Sequence, residues 1–250
     1  MSAIRWRRQV AARVADDVHP WAHGTVVRAN EFPTYYQYNF VRVEGADPGL
    51  DAAALVAVAD RELAGLGHRR IEVEDLAAGE RLRQDFAAMG WVVERLAFLE
   101  RELPAPERPA PDGTAIELDG FEASRPLRAA WQGESLWGDP PEFFAVEEAA
   151  AARVGTRCAI GYADGAPAGF AAYAVHGDTM EVELVFCMPE RRNSGLGGAL
   201  VSRALAAGAA DGAWHALIEA DDDGNSKRLY ERLGFRTVWT RYSFTRRPGG

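Results

Sequence analysis

The chain has almost no cysteine: two residues in 250, Cys158 and Cys187, both in apolar surroundings. Two distant thiols cannot build a disulfide framework, and they fit a reducing compartment, so a cytoplasmic location is expected. No apolar run approaches the roughly 18 residues of a membrane span. The N-terminus, MSAIRWRRQVAARVADDVHP, is basic but lacks the hydrophobic core of a signal peptide. Its Trp6, Val10 and Val14 recur every four residues, which predicts a helix packed on the body and no membrane association. An excess of positive charge is also missing. Lys and Arg number 28 against 37 Asp and Glu, a net charge of −9, and the basic residues are scattered, so a nucleic-acid partner is not expected. Within HPWAH, His19 and His23 stand four apart, but Pro20 between them prevents a helical metal face, and no metal is expected.

What remains is an ordinary globular composition, 48% hydrophobic and 26% charged, long enough for one large domain or two small ones. The stretch LPAPERPAPDG (103–113) carries four prolines and reads as an extended connection. It divides the chain into 1–105, a linker at 106–112, and 113–250. The second part predicts a helix from about Phe121, with Leu127 and Trp131 on one face, and another helix after GDPPEFF. Three β-segments follow across 156–188, joined by turns at Asp164-Gly165 and Gly177-Asp178. Then come a helix striped with Leu196, Leu200, Ala204 and Leu205, a strand at WHALIEA, a helix at DDDGNSKRLYERLG ending on Gly234, and an alternating strand FRTVWTRYSFT.

The first part ends in the same order. A strand YYQYNFVRVE precedes a helix at 51–66, a strand HRRIEVE, a helix at 76–89, Gly90 and a strand at 91–102. With Gly90 set on Gly234, ERLRQDFAAMGWVVERLAF lies over SKRLYERLGFRTVWTRYSF, an internal repeat of one supersecondary unit. The expected class is α/β with a mixed sheet, built by tandem duplication.

RRNSGLGGAL (191–200) raises the question of function. It leaves a strand and opens a helix, where unpaired N–H groups and the helix dipole suit an anion. Gly195 and Gly197 would let phosphate oxygens approach the backbone. The dinucleotide fingerprint G-x-G-x-x-G fails at Leu200, and no G-x-x-x-x-G-K-[ST] is present. R-x-x-G-x-G is present, as Arg192, Gly195 and Gly197, followed about thirty residues later by N-x-x-x-x-Y-x-x-x-G-F, as Asn225, Tyr230, Gly234 and Phe235.

On these motifs the chain, from about 112 to 246, resembles the GNAT superfamily of N-acetyltransferases, and the whole resembles a tandem, actinobacterial-type member with a degenerate first half. The resemblance implies the GNAT fold and acetyl-CoA as donor. It implies that Phe186 and Cys187 offer backbone groups to the pantetheine arm, and that Arg192, Asn193, Ser194, Gly195, Leu196, Gly197 and Gly198 wrap the pyrophosphate. Asn225 would contact the CoA arm, and Tyr230 would sit by the thioester sulfur. Asn193 stands where glycine is common, and asparagine tolerates left-handed backbone. Ser194 replaces a residue that is often basic. The first half has Glu44 and Asp47 in the matching loop, and Phe86 where the second has Tyr230, so it is expected to be structural.

Attack of an amine on a thioester needs a deprotonated amine, a donor to the oxyanion and a proton or hydrogen bond for the leaving thiolate. Tyr230 is the candidate acid. Glu183 is the candidate base, with Glu181 on the same strand face by the two-residue period; a water chain is the alternative to a dedicated base, and solvated edge carboxylates the bland reading. Cys187 reads as packing and not as an acetyl-carrying nucleophile. Trp131, Trp137 and Phe143 could line an acceptor pocket or simply fill the core. The acidic run Glu134, Asp139, Glu142, Glu147, Glu148 suggests a cationic acceptor. The sequence thus predicts acetyl transfer to a primary amine, of a small molecule or, alternatively, of a protein or a mycothiol-precursor-like compound. A CoA-binding sensor without turnover is the rival of another class. A monomer is expected, with a homodimer as the alternative.

Overall fold

A computed structural model describes residues 3–134 and 143–248. The chain forms two compact units, one of Ser2–Phe98 with Ala220–Gly224 and Thr237–Gly250, the other of Leu99–Glu219 with Asn225–Arg236.

The first unit opens with helix α1 (Ala3–Val14) and a hairpin of β1 (Asp17–Trp21) and β2 (Gly24–Arg28). After β3 (Phe40–Val43) come α2 (Ala52–Glu62), β4 (Arg69–Val73), α3 (Leu76–Ala88) and the first part of β5 (Val92–Glu102). The chain's last strand, here numbered β11 (Arg236–Arg246), completes its sheet, in the order β1-β2-β3-β4-β11-β5. The β3–β4 pair is parallel and β4–β11 antiparallel. Helices α2 and α3 start on Asp51 and Asp75, whose carboxylates accept from the N–H groups of Ala54 and Ala78, both at 2.8 Å.

Alternation in RRIEVE explains how the sheet is buried. Ile71 and Val73 join Leu55, Phe86, Trp91, Tyr242 and Phe244 in an apolar core, in which Phe86 stacks on Phe244 at 4.1 Å. The intervening Arg70 and Glu72 join Arg42 and Arg241 in a buried ionic layer, with Arg241 and Glu72 at 2.9 Å. The guanidiniums of Arg241, Arg70, Arg7 and Arg42 hold Glu72 down at about 2 against the opposing effect of its complete burial. Charges so far from water are stable only because both signs are present.

In the second unit β6 (Thr114–Gly120) leads through a 3-10 turn at Phe121–Ser124 into α4 (Arg125–Glu134), and α5 (Phe143–Val154) follows. Then come β7 (Arg157–Ala163), β8 (Ala166–His176), β9 (Thr179–Cys187), α6 (Leu196–Ala210), β10 (His215–Asp221) and α7 (Asn225–Arg232). The order is β6-β7-β8-β9-β10, antiparallel except for the parallel β9–β10 pair. Phe121, Leu127, Ile160, Phe170 and Phe186 form a core on one face. On the other, the expected stripe of Leu196, Leu200, Ala204 and Leu205 is buried. Glycines let α6 come close: a Cβ on Gly161 would lie 2.9 Å from Leu196, and one on Gly208 2.1 Å from the Met180 sulfur.

Three expectations need correction. YYQYNFVRVE is not one strand; Tyr36–Tyr38 forms a 3-10 turn, and only Phe40–Val43 extends. The helix expected from Asp221 starts at Asn225, because Asp221–Gly224 make a turn in which the Gly224 N–H donates to the Asp221 carbonyl. The hairpin at 17–28 and strand β6 were not foreseen; Pro20 sits in β1 at the sheet's edge, where no ladder donor is required of it. The duplication itself is visible in detail. Gly90 and Gly234 have φ of +79° and +87°. Behind them the N–H groups of Trp91 and Phe235 donate to the carbonyls of Phe86 and Tyr230, at 3.0 and 3.1 Å.

One buried group makes the first unit sensitive to acid. His68 stacks on Tyr36 at 4.0 Å, and its Nε2–H donates to the Asn39 carbonyl at 3.0 Å. Burial, with Arg70 and Arg69 adding to it, lowers its pKa to about 4. The unfolded chain, titrating near 6.5, therefore binds more protons between these values. Stability should fall as pH drops from about 6.5 towards 4, by up to about 3 kcal/mol. His19, raised by Asp17, acts in the opposite sense. The test is urea unfolding at pH 7 and pH 5, comparing the parent with His68→Gln. The midpoint should move less with pH in the variant; an equal movement removes His68 as the cause.

Candidate active site

The site starts from a break in the sheet. β9 pairs with β8 over its whole length, from Thr179↔His176 to Cys187↔Gly169. On its other edge it pairs with β10 only from Thr179↔His215 to Val182↔Ile218. Beyond that point β9 runs on to Cys187 and β10 to Asp221 with no register between the two strands. The divergence begins at a β-bulge, since Val182 faces Tyr173 while Leu184 faces Ala172, leaving Glu183 as the extra residue. A bulge bends its strand and increases the twist, which turns β9 away from β10.

At the end of β9 the chain makes the loop that raised the functional question. Asn193 and Gly195 both take left-handed backbone, with φ of +60° and +93°. Gly195 is the N-cap of α6, so the first turn of α6 presents N–H groups that no preceding carbonyl can accept. Ser194 braces the loop, its hydroxyl donating to the Arg191 carbonyl at 2.7 Å, and it does not line the cleft. Arg191 is anchored to Asp164 at 2.7 Å. The Nε–H of Arg192 donates to the Cys187 carbonyl at 3.2 Å, and its guanidinium lies 5.8 Å from the Phe186 ring centre.

A cleft of about 910 Å³ opens over this break. Of the expected residues it brings together Phe186, Cys187, Arg192, Asn193, Gly195, Gly197, Gly198, Asn225, Tyr230 and Trp131. Trp131 stacks on Phe186 at 5.7 Å. Leu196 is buried beneath the cleft, and Phe143, half-buried at the start of α5, does not line it. Trp137 lies outside the described residues. Sequence reasoning passed over Arg108, Arg228, Leu229 and Arg232 as lining residues. Helical spacing could have found three of them, because Arg228, Leu229 and Arg232 share a face of α7 with Asn225. Arg108 had no such signal. Among the described residues, five arginines line the cleft and no carboxylate does.

The chemistry-bearing side chains divide into groups. Tyr230 is buried on α7 with its ring in the cleft wall, and burial pushes its phenol above the ordinary value. Cys187 is partly buried, its Sγ 3.6 Å from where a Gly197 Cβ would stand, and burial raises its thiol to about 11 despite Arg192. A thiol held in that state is a poor nucleophile. Glu183 accepts from the Thr156 hydroxyl at 3.1 Å and stands at the inner end of the break, but it is not in the cleft lining. Glu181 is buried, and the bulge lies between the two. The acidic run does not act as expected. Glu147 and Glu148 are tied to Arg128, and Glu148 also to Arg125, so their charge is neutralised within the α4–α5 pair. Asp139, Glu142 and the Glu134 side chain lie outside the described residues.

The corresponding part of the first half is shut. β3 and β4 pair through Val43↔Val73, the last residue of each strand, and the Glu74 N–H then donates to the Val43 carbonyl at 3.1 Å. In the following loop Asp47 is held by Arg81, at 2.8 Å, which keeps its carboxyl below the ordinary value. Phe86 is packed in the core.

Comparison with known proteins agrees with this geometry. The acetyltransferase (GNAT) family matches residues 124–235. The mycothiol acetyltransferase of Thermobispora bispora is 32% identical over 227 residues, covering 77% of this chain and 69% of that one. The chain belongs to the GNAT family of acetyltransferases. Its fold is that of a GCN5-related N-acetyltransferase from Kribbella flavida, at a TM-score of 0.63 and 21% identity, with 99% of this chain and 96% of that one covered. It is also that of a tandem GNAT protein from the clavulanic acid biosynthesis pathway, at a TM-score of 0.52 and 18% identity, with 84% and 75% covered. GNAT enzymes use acetyl-CoA. The left-handed Gly195, the glycine-rich first turn of α6, whose Leu196 N–H reaches the Ser194 hydroxyl at 3.4 Å, and the arginines are groups that suit a diphosphate.

Gly195 tests that fit. No protein atom lies within 4 Å of a Cβ built on it, so a side chain there would point into open space, while its φ penalises most residues. Asparagine tolerates this backbone. Gly195→Asn should therefore leave the melting temperature nearly unchanged and weaken acetyl-CoA binding at least tenfold by calorimetry. Unchanged binding would remove the loop from the cofactor site.

Proposed function

We propose that the chain transfers the acetyl group of acetyl-CoA to a primary amine of a small molecule, at one site in its second half. The observation that supports this most is the end of β9–β10 pairing at Val182 and Ile218, opening onto an arginine-lined cleft walled by Tyr230. Beyond Val182 the extended backbone of β9 no longer pairs with β10, which suits the amide-bearing arm of CoA. The α6 loop and arginines suit its phosphates.

The neutral amine attacks the thioester carbonyl; the C–N bond forms, the C–S bond breaks, and the amine proton leaves for a base while the thiolate accepts a hydrogen bond or proton. A free alkylamine is protonated near neutrality, with a pKa of about 10.4. Glu183, at the inner end of the break and held by Thr156, is the group we assign to take that proton, directly or through water. The raised phenol of Tyr230 stays protonated at working pH, so its O–H is always available to the leaving sulfur. N–H groups of β9 beyond Val182 are the donors we assign to the oxyanion.

A second reading concerns the acceptor. The 32% identity to a mycothiol acetyltransferase favours an amine of the kind that enzyme's name implies over a protein amine. Glu147 and Glu148, neutralised by Arg125 and Arg128, do not favour a cationic acceptor.

Two experiments address the proposal. Tyr230→Phe should keep CoA affinity and lower kcat and kcat/KM by tenfold to about 10⁴-fold, while Phe86→Tyr changes neither. Full activity in Tyr230→Phe would return the tyrosine to packing. Calorimetric titration should give one CoA per chain, because the β3–β4 edge is closed; two equivalent sites would overturn the one-site reading.

A further inference from the structure

The proline-rich stretch that the sequence presents as a connector supplies a wall of the cleft. Arg108 is fixed by two contacts of different kinds. Its backbone N–H donates to the Ser202 hydroxyl on α6 at 2.8 Å, and its Nη2 donates to the Arg232 carbonyl at the end of α7 at 2.7 Å. Between these anchors its side chain crosses the gap between the helices. Its Cδ lies 3.9 Å from where a Gly198 Cβ would stand, a point 3.8 Å from Leu229 and 3.9 Å from Leu233. These are ordinary contact distances, so the stem of Arg108 lies against the first turn of α6.

The cleft's charge comes from separate elements. Arg191 and Arg192 belong to the loop before α6. Arg228 and Arg232 stand one helical turn apart on α7, and Arg108 is joined to α7 through the Arg232 carbonyl. A helix C-terminus favours cations, but three guanidiniums so close together repel one another. They occur in a chain of net charge −9, in a cleft lined by no carboxylate among the described residues. Such a cluster fits a second, dianionic phosphate separate from the diphosphate that the α6 loop suits.

We infer that Arg108, together with Arg228 and Arg232, recognises the 3′-phosphate of the CoA ribose, so that the linker makes the enzyme selective for CoA over its 3′-dephospho form. The inference rests on the acetyl-CoA reading of the cleft. The role of Arg108 is discrimination between donors, and it takes no part in the acyl transfer.

The test is calorimetric titration of the full chain with CoA and with 3′-dephospho-CoA, for the parent, Arg108→Ala and Arg108→Lys. The parent should bind CoA at least tenfold more tightly than dephospho-CoA. Arg108→Ala should weaken CoA about tenfold, equivalent to about 1.4 kcal/mol, and leave dephospho-CoA unchanged, so that the preference shrinks. Arg108→Lys should restore part of it, and added salt should reduce it in the parent. Equal weakening of both ligands in Arg108→Ala would overturn the inference, since Arg108 would then be a brace for α7 or a diphosphate ligand. Unchanged binding of both would overturn it as well. A parent that binds neither ligand would instead bring down the cofactor reading of the cleft, and this inference with it.

Discussion

The site depends on the stretch where β9 parts from β10, beyond the Val182↔Ile218 pair. Main-chain donors and acceptors seldom remain without partners away from water, so such a stretch must be satisfied by solvent or by a ligand. An extended chain carrying amides can complete it as another strand would. The bulge at Glu183 sets where this begins, and the loop at 191–195 sets where it ends. Between them the sheet offers main-chain polarity at one place, and α6 supplies a positive helix end beside it. Side chains then refine what the backbone has prepared. Trp131 and Phe186 form an apolar stack, Tyr230 a protonated phenol, and the arginines a counterweight to phosphate charge.

Much of this could be read from residues alone, and the exceptions follow from what local pattern can encode. The α6 stripe and the glycine stops at 90 and 234 were legible because helix periodicity and left-handed caps are local properties. The loop was legible because R-x-x-G-x-G and N-x-x-x-x-Y carry their own spacing. The bulge was not, since it is a relation between β8 and β9 and leaves no trace within TMEVELVFC. The same limit hid the wide edge of β9, which only the register with β10 reveals. The β1–β2 hairpin was obscured by Pro20, tolerable there because of its edge position. Arg108 lay in a segment whose prolines signal extension correctly but say nothing of what the extended chain touches. Composition likewise counts Glu147 and Glu148 as negative, and cannot show that Arg125 and Arg128 neutralise them.

The two halves show how little separates a working edge from a closed one. Both contain a strand, a loop, a helix, a second parallel strand and a helix capped by a left-handed glycine, with matching hydrogen bonds behind Gly90 and Gly234. In the first, pairing continues through Val43↔Val73, so the backbone satisfies itself there. Its loop is drawn in by the Asp47–Arg81 pair, and the ring at 86 stacks on Phe244 in the core. This sheet carries on its other face a buried ionic layer around Glu72 and Arg241. In the second half the bulge prevents closure, glycine and asparagine hold the loop in an otherwise unfavourable backbone, and the ring at 230 gains an oxygen. Charge follows the same division. Two carboxylates of the second half are taken up by arginines, Asp164 by Arg191 and Glu148 by Arg125 and Arg128, while arginines line the cleft of an acidic protein. The parting of β9 from β10 and a positive charge pattern from the loop, α7 and Arg108 are thus two separate constraints that meet at one place in the fold.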